Sequence, residues 1–154
     1  MNPTVICYRI GNWFHRHGMR RIGWVITWIN RLIFGGFVPS SASLGKSIVI
    51  GYWGLGVVLH KDCVIGDYCH IGTNVTVGRN PGQPGVPKIG DHVYIATGAV
   101  VSGSICIGSR VIIGANSVVL SDLPDGVLAV GSPAKVVREL TQYELETVLS
   151  GIVP

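Results

Sequence analysis

Residues 89–119 read IGDHVYIATGAVVSGSICIGSRVIIGANSVV, and their period of six is the most informative feature of the chain. An aliphatic residue recurs at every sixth position: Ile65, Ile71, Val77, Ile89, Ile95, Val101, Ile107, Ile113 and Val119. The residue four places later is usually small or β-branched: Cys69, Val75, Val93, Ala99, Ile105, Val111 and Ser117. This period fits neither an α-helix nor a simple alternating strand. It predicts a solenoid of short straight faces, one hexapeptide per face, with the aliphatic side chains inside.

The composition supports one β-rich domain. The chain has 154 residues, of which 47% are hydrophobic, 13% are charged and 22 are glycine. So many aliphatic residues exclude a glycine-rich disordered chain. The four cysteines form no C-x-x-C pair, and Cys63 and Cys69 fall on the small inward position. We expect them to be packing thiols in a reducing compartment, which favours the cytoplasm.

Positive charge is confined to the N-terminal segment. Residues 1–40 carry five arginines and no acidic residue, whereas the rest of the chain is close to neutral. Because no basic face continues into the repeats, nucleic acid is not expected as a partner.

The same segment predicts two helices, at 3–17 and 20–35, with Gly18 between them. Its longest uncharged run, 22–30, is too short to span a bilayer, and no signal-peptide pattern is present. Two interpretations stay open and are compatible. The helices cap the open first coil of the solenoid, or they lie on a membrane surface with arginines toward anionic lipid.

Two interruptions break the repeats. Three residues are inserted within 51–56, and a loop rich in proline and glycine occupies 79–87 and is expected to protrude. If three faces close one coil, residues 18 apart are neighbours. That rule places His60 beside Gly78, His70 beside Lys88, and His92 between Asn74 and Arg110.

The C-terminal part closes the solenoid. Residues 127–130 and 134–137 are predicted strands, and Thr141 with Glu144 has the form of a capping box that starts a short helix. We therefore divide the chain into a helical cap or membrane-contacting segment at 1–40, a β-helix at 41–138, and a C-terminal helix and tail at 139–154.

The repeats, 74–78 before the loop, 87–90 after it and the ending Val130-Gly131-Ser132-Pro133-Ala134-Lys135 together resemble the hexapeptide-repeat acyltransferases. The most similar branch is that of the serine acetyltransferases, especially short members found with bacterial polysaccharide genes. The resemblance implies a left-handed parallel β-helix and a homotrimer. It also implies acetyl-CoA bound between neighbouring solenoids, and acetyl transfer to a hydroxyl or amine with a histidine as general base.

The chain departs from that branch at its catalytic positions. Serine acetyltransferases carry an Asp-His pair where this chain has Tyr52 and Trp53, and a second histidine where it has Val86. We predict that His60 acts as the base instead, because it is the histidine nearest both interruptions and is expected to point outward. Tyr52 and Trp53 are expected to bind the acceptor, since such rings stack on sugars, although a packing role is an equal alternative.

The resemblance also implies a set of residues for acetyl-CoA. Arg79, Thr97 and Ala115 are expected as successive outward positions on stacked coils. Small residues let the pantetheine approach the backbone, and two basic residues near the end of the solenoid pair with the nucleotide phosphates. The full predicted set is Arg79, Ala96, Thr97, Gly98, Ala115, Lys135 and Arg138.

Three functions follow from these observations. The first is an acetyl-CoA-dependent O-acetyltransferase, cytoplasmic or at the inner membrane face, acting on a sugar, a polysaccharide precursor or serine; serine acetyltransferase of cysteine biosynthesis is its narrower alternative. The second is a binding solenoid without catalysis. The third, a metal hydro-lyase of the carbonic anhydrase type, is disfavoured because His60, His70 and His92 lack paired metal-ligand spacing, and no metal is expected.

Overall fold

A computed structural model describes residues 2–150 as a three-sided parallel β-solenoid of about four turns, flanked by helices. The helices are α1 (Pro3–Arg16), α2 (Arg20–Phe34) and α3 (Gln142–Ser150). The first two agree with their predicted ranges to within one residue at each end. The three-sided parallel solenoid confirms the predicted β-helix fold.

Three sheets form the sides of the solenoid. Sheet 1 contains β1 (Ser43–Leu44), β4 (Val64–Ile65), β7 (Lys88–Ile89) and β10 (Cys106–Ile107). Sheet 2 contains β2 (Val49–Ile50), β5 (His70–Ile71), β8 (Tyr94–Ile95), β11 (Ile112–Ile113), β13 (Val127–Gly131) and β14 (Ala134–Glu139). Sheet 3 contains β3 (Val58–Leu59), β6 (Thr76–Gly78), β9 (Val100–Ser102) and β12 (Val118–Val119). Neighbouring strands are parallel except for the antiparallel pair β13–β14.

The chain visits the three sheets in the same order in each coil, so the turns stack into three edges. We call these the 1–2 edge, the 2–3 edge and the 3–1 edge, after the sheets that each turn joins. Aspartate side chains connect successive coils at the 1–2 edge. The Lys46 N–H donates to Asp67 Oδ1 at 2.6 Å, and the Asp67 N–H donates to Asp91 Oδ1 at 2.7 Å. Such contacts fix successive turns in register.

The interior is built from the two predicted inward positions of each hexapeptide. The nine periodic aliphatic residues are at most 3% exposed, and the seven residues four places later are at most 6% exposed. Burying each Val or Ile side chain contributes about 1.5–3 kcal/mol before the entropy cost of folding. Burial also raises the pKa of the Cys63 thiol to about 12 and that of Cys69 to about 11, so both remain protonated packing groups.

The rule that neighbours lie 18 residues apart holds only where no insertion intervenes, as between Leu59 and Val77 and between Ile89 and Ile107. Leu59 pairs with Val77, which places His60 beside Gly78 as predicted. His70, however, pairs with Tyr94 and not with Lys88. The 79–87 loop adds six residues to its coil, so positions on either side of it stack 24 apart.

The same shift corrects the surroundings of His92. Its ring stacks on Tyr68, with centroids 4.9 Å apart, instead of lying beside Asn74. His70 is half-buried against the Tyr94 ring, and burial lowers its pKa. Both histidines therefore pack against tyrosines.

Helix α1 closes the first coil. Its Tyr8 side chain is 1% exposed, donates its hydroxyl to the Ala42 carbonyl at 2.7 Å and accepts the Leu44 N–H at 3.1 Å. At the other end Thr141 and Glu144 form the predicted capping box: the Glu144 N–H donates to Thr141 Oγ1 at 3.3 Å, and Thr141 donates its N–H to Glu144 Oε2 at 2.9 Å. The division of the chain into three segments stays a prediction.

No helix within residues 2–150 is both long enough and apolar enough to cross a membrane.

Candidate active site

His60 lies on the 3–1 edge, directly after β3. Its backbone N–H donates to the Val77 carbonyl at 2.8 Å, and its side chain is 24% exposed. Asp62 faces the ring twice: its backbone N–H donates to His60 Nδ1 at 3.2 Å, and its Oδ2 lies 3.7 Å from the same nitrogen. This edge therefore presents an imidazole held beside a carboxylate.

Neighbouring cations lower the pKa of the Asp62 carboxyl. Lys61 Nζ donates to it, and this hydrogen bond holds the pKa of Asp62 below its ordinary value, with smaller contributions from the charges of His60 and Arg79. Sequence reasoning missed Asp62. Its position two residues after His60, in the same turn of the solenoid, is the sequence feature that could have identified it.

The contact with the Asp62 N–H also assigns the histidine tautomer. An N–H that donates to Nδ1 makes this nitrogen an acceptor, so a neutral His60 ring carries its proton on Nε2. A histidine that removes a proton through Nε2 carries its own proton on Nδ1, where a carboxylate stabilises it. The Asp62 Oδ2 atom lies 3.7 Å from Nδ1.

The 79–87 loop folds onto the next coil at the same edge. Ser102 donates its hydroxyl to Asn80 Oδ1, and Ser104 donates its N–H to Gln83 Oε1 at 3.1 Å. Residues 79–84 line an open concavity of about 520 Å³. The protruding loop is thus held in place by Asn80 and Gln83, two residues that the repeat pattern did not single out.

Arg79 is not in the column where the sequence placed it. It follows Gly78, which pairs with Ser102, so Arg79 lies on the 3–1 edge beside Gly103. The expectation that Arg79 stacks below Thr97 is wrong, and the six extra residues of the loop are the reason. Arg79 instead accompanies His60.

The small residues of the predicted acetyl-CoA set do form a column, on the 2–3 edge. Thr97 lies above Thr73, whose hydroxyl donates to Thr97 Oγ1 at 3.3 Å. The Asn116 N–H donates to the Thr97 carbonyl at 3.0 Å and holds the Ala115 turn above it. Thr97 and Ala115 are exposed, and Ala96 and Gly98 flank Thr97 in its turn. The column offers a narrow surface without bulky side chains.

Tyr52 and Trp53 form the base of this edge, in a 3₁₀ turn at Gly51–Gly54. Both are left-handed, with φ of 44° and 59°, and they are 86% and 60% exposed. Other turns of the edge use Asn74 and Asn116 for this conformation, and asparagine tolerates it. For bulky residues it costs roughly 1–2 kcal/mol each, and burial does not offset that cost here.

The N-terminal helices fasten the aromatic turn. Thr4 donates its hydroxyl to the Trp53 carbonyl, and Asn2 donates its amide to the Ile50 carbonyl. The Trp53 ring meets Phe34 of α2 edge-on, with centroids 6.3 Å apart. Two exposed rings in strained backbone, held from behind, are typical of a ligand-binding turn.

The two basic residues of the closing hairpin differ. Arg138 binds both oxygens of Glu144, at 2.7 and 2.8 Å, and so is already paired with α3. Lys135 is exposed and pairs across the hairpin with Val130, near the upper end of the 2–3 edge. Of the two, Lys135 is better placed for a phosphate.

The predicted site residues therefore occupy two edges. His60 and Arg79 lie on the 3–1 edge, whereas Tyr52, Trp53 and the 97–115 column lie on the 2–3 edge. Sheet 3 separates them by a face of about six residues, on the order of 20 Å. One copy of the chain does not bring the two sets together. Within the described residues, no three His, Cys, Asp or Glu side chains are grouped to hold a metal ion.

Comparisons with known proteins agree with this geometry. Residues 87–121 match the family described as bacterial transferase hexapeptide (six repeats). The serine acetyltransferase of Synechococcus elongatus is 36% identical over 136 residues, which cover 87% of this chain and 55% of that protein. The serine acetyltransferase of Helicobacter pylori is 38% identical over 138 residues, covering 88% of this chain and 80% of that protein.

Solved structures give the same result. The serine acetyltransferase of Brucella abortus in complex with coenzyme A superposes with a TM-score of 0.84 at 28% identity, covering 89% of this chain and 55% of that one. The chain thus spans little more than half of some relatives and most of the Helicobacter protein. Repeats, fold and identity together show that this chain belongs to the hexapeptide-repeat transferases, in the branch of the serine acetyltransferases.

Proposed function

We propose that this protein is an acetyl-CoA-dependent O-acetyltransferase whose acceptor is a hydroxyl of a sugar or polysaccharide precursor. The observation that carries the choice of acceptor is the exposed, strained Tyr52–Trp53 turn. Aromatic rings stack on the apolar faces of sugars, and they stand where the resemblance places the polar Asp-His pair of the serine enzymes. Serine, a small charged acceptor, gains little from two such rings.

The reaction needs a base and a bound thioester. The acceptor oxygen attacks the acetyl carbonyl, a new C–O bond forms, and the acceptor proton passes to the base. The tetrahedral intermediate then collapses, the C–S bond breaks, and the coenzyme A thiolate takes the proton. Products are the acetyl ester and free coenzyme A.

His60 is the proposed base, with Asp62 as the group that positions it. When the ring proton moves to Nδ1, the ionised Asp62 carboxylate stabilises it and Nε2 is free to accept a proton. Arg79 and the anchored loop border this reaction side.

Acetyl-CoA is proposed to lie along the 2–3 edge, against Ala96, Thr97, Gly98 and Ala115, with Lys135 near its phosphates. Arg138 would have to leave its ion pair with Glu144 before it could bind the same phosphates. Since sheet 3 separates this edge from His60, the site is completed by a second copy. This supports the homotrimer that the resemblance implies. We place the enzyme in the cytoplasm, peripheral to the inner membrane face.

Free serine is the second candidate acceptor, because the relatives are named serine acetyltransferases. A solenoid that binds without catalysis is the alternative outside enzymes, because the branch's histidine positions hold Trp53 and Val86.

The test is release of the coenzyme A thiol, followed with wild type, His60→Ala and the matched control His17→Ala against serine and a panel of nucleotide sugars and oligosaccharides. His17 is an exposed histidine at the end of α1 and belongs to neither set of proposed site residues. We expect turnover with a saccharide, lost by about 100-fold or more in His60→Ala and kept in His17→Ala.

Each other outcome has a distinct meaning. Preference for serine would overturn the saccharide assignment and leave the transferase. Full activity in His60→Ala would remove His60 from the mechanism. Binding of coenzyme A without turnover on any acceptor would favour the non-catalytic solenoid.

A further inference from the structure

Helix α2 buries small and polar residues and exposes most of its large apolar residues. Its buried positions are small or polar, namely Gly23, Thr27 and Asn30, and the apolar Ile26 and Phe34 beside them are only half-buried. Thr27 is 4% exposed and Asn30 is 0% exposed. An ordinary surface helix of a globular protein buries an apolar stripe and exposes its polar residues.

Hydrogen bonds satisfy this inward face. Thr27 Oγ1 donates to the Gly23 carbonyl at 3.0 Å and accepts the Ser40 N–H at 3.0 Å. Ser40 Oγ donates to the Gly23 carbonyl at 2.7 Å, and Asn30 donates its amide to the Thr4 carbonyl at 3.2 Å. The network requires this face of α2 to point inward, so the outward apolar face is a fixed feature of the fold.

The outward face is strongly apolar. Leu32 is 82% exposed, Ile33 64% and Trp24 63%. The remaining exposed apolar residues of the helix are Ile22, Val25, Trp28 and Ile29. A contiguous exposed apolar patch of this kind marks a surface that something covers.

The charges around the patch are all positive. Arg20 and Arg31 lie along one border of the apolar face, Arg21 lies within it, and the guanidinium of Arg31 lies 5.8 Å from the Trp28 ring. The first acidic residue in the chain is Asp62. An apolar face with tryptophans and arginines at its border fits the headgroup region of an anionic bilayer.

We propose that α2 lies on an anionic lipid surface, with its Trp24-to-Ile33 face in the headgroup layer. Charge decides between this occupant and a second copy: a copy that covered the face symmetrically would bring the same arginines and no acid against them. Phe34, the residue after Ile33, contacts the Trp53 ring of the aromatic turn. The lipid surface therefore borders the proposed acceptor turn, although its binding requires no acetyl transfer.

The test is cosedimentation of the full chain with vesicles of phosphatidylcholine alone or mixed with phosphatidylglycerol. We expect binding to the mixed vesicles only, weakened by salt. Leu32→Glu with Ile33→Glu is expected to lower the partition coefficient at least tenfold, because both side chains are outside the protein core. The matched control is Val137→Glu with Tyr143→Glu, at positions 58% and 78% exposed elsewhere on the surface.

A second variant keeps the apolar face and removes charge. Arg20→Gln with Arg21→Gln is expected to reduce the preference for phosphatidylglycerol. Equal vesicle binding by wild type and Leu32→Glu/Ile33→Glu, or no binding by wild type, overturns the proposal. A fall in sedimentation mass of that double variant without lipid would also overturn it, since a second copy would then cover the face. None of these measurements depends on turnover.

Discussion

The 3–1 edge and the 2–3 edge of the solenoid are made from the same hexapeptide, yet they present different chemistry. The 3–1 edge carries ionisable side chains, His60, Asp62 and Arg79, beside an anchored loop. The 2–3 edge carries small residues above two exposed aromatic rings. An edge of charged groups suits proton transfer, and a bare edge suits a long ligand that approaches the backbone. This difference supports our proposal that each edge supplies half of a site.

The largest effect is expected from filling the bare edge. Ala115→Glu adds a carboxylate on the proposed path of the coenzyme, where it blocks the pantetheine and repels the phosphates. We expect kcat/KM for acetyl-CoA to fall about 100-fold, or roughly 2.7 kcal/mol. Val64→Glu places the same charge on an outward position of sheet 1 and is the control. An unchanged KM in Ala115→Glu would move acetyl-CoA to another edge.

A smaller effect is expected at the charged edge. Asp62→Ala removes the carboxylate that stabilises the Nδ1 proton of His60, and kcat is expected to fall about tenfold with little change in KM. Lys61→Ala leaves the His60–Asp62 contact in place and serves as the control. If both variants behaved like wild type in steady-state kinetics, Asp62 would have no part in positioning the base.

The aromatic turn is expected to trade stability for binding. Tyr52→Asn relieves a bulky left-handed residue, so the free energy of unfolding should rise by about 1 kcal/mol and Tm by about 2–4 °C. The same change should raise KM for a saccharide acceptor several-fold. Thermal melting and kinetics on one preparation test both statements. Lower Tm with unchanged KM would show that Tyr52 is a packing residue.

The smallest effect is expected away from both edges. Hydrogen bonds from Arg138, and to a smaller extent from Thr141, lower the pKa of Glu144 from 4.5 to about 2. These contacts stabilise the start of α3 above pH 4.5, and their contribution is lost as the pH falls toward 2. The pair is exposed, so the effect is small. The protection factors of the α3 amides, which correct for the intrinsic pH dependence of exchange, should fall in acid in wild type, whereas in Glu144→Gln they should be low at every pH. Acid-insensitive protection factors in wild type would contradict this.

The repeat pattern predicted the interior well, because each hexapeptide repeats one local solution to burying two side chains. Ile95 and Val101 follow from it directly. The pattern failed where residues were inserted: the stacking of His70 and Arg79 depends on six loop residues that leave the coil. The repeat period alone does not show which residues leave the coil to form the loop. Hydrogen bonds such as that from Ser102 to Asn80 do show it.

The N-terminal segment shows a different limit. Its two helices were predicted from composition and from Gly18 between them, and the predicted ends lie within one residue of the observed ends. The inverted packing of α2 was not predicted, because amphipathicity alone does not say which face points inward. The network of Thr27 with Ser40 decides this through a contact 13 residues away in sequence.

The most direct test of a site shared between two edges is a mixed assembly. His60→Ala and Ala115→Glu, inactive singly, are coexpressed with different tags, and assemblies that carry both tags are assayed for coenzyme A release. If each site takes one edge from each of two neighbouring copies of a trimer, every mixed trimer contains one intact site, so assemblies with both tags recover about one third of wild-type activity. Assemblies with both tags and no more activity than the single variants would contradict the account.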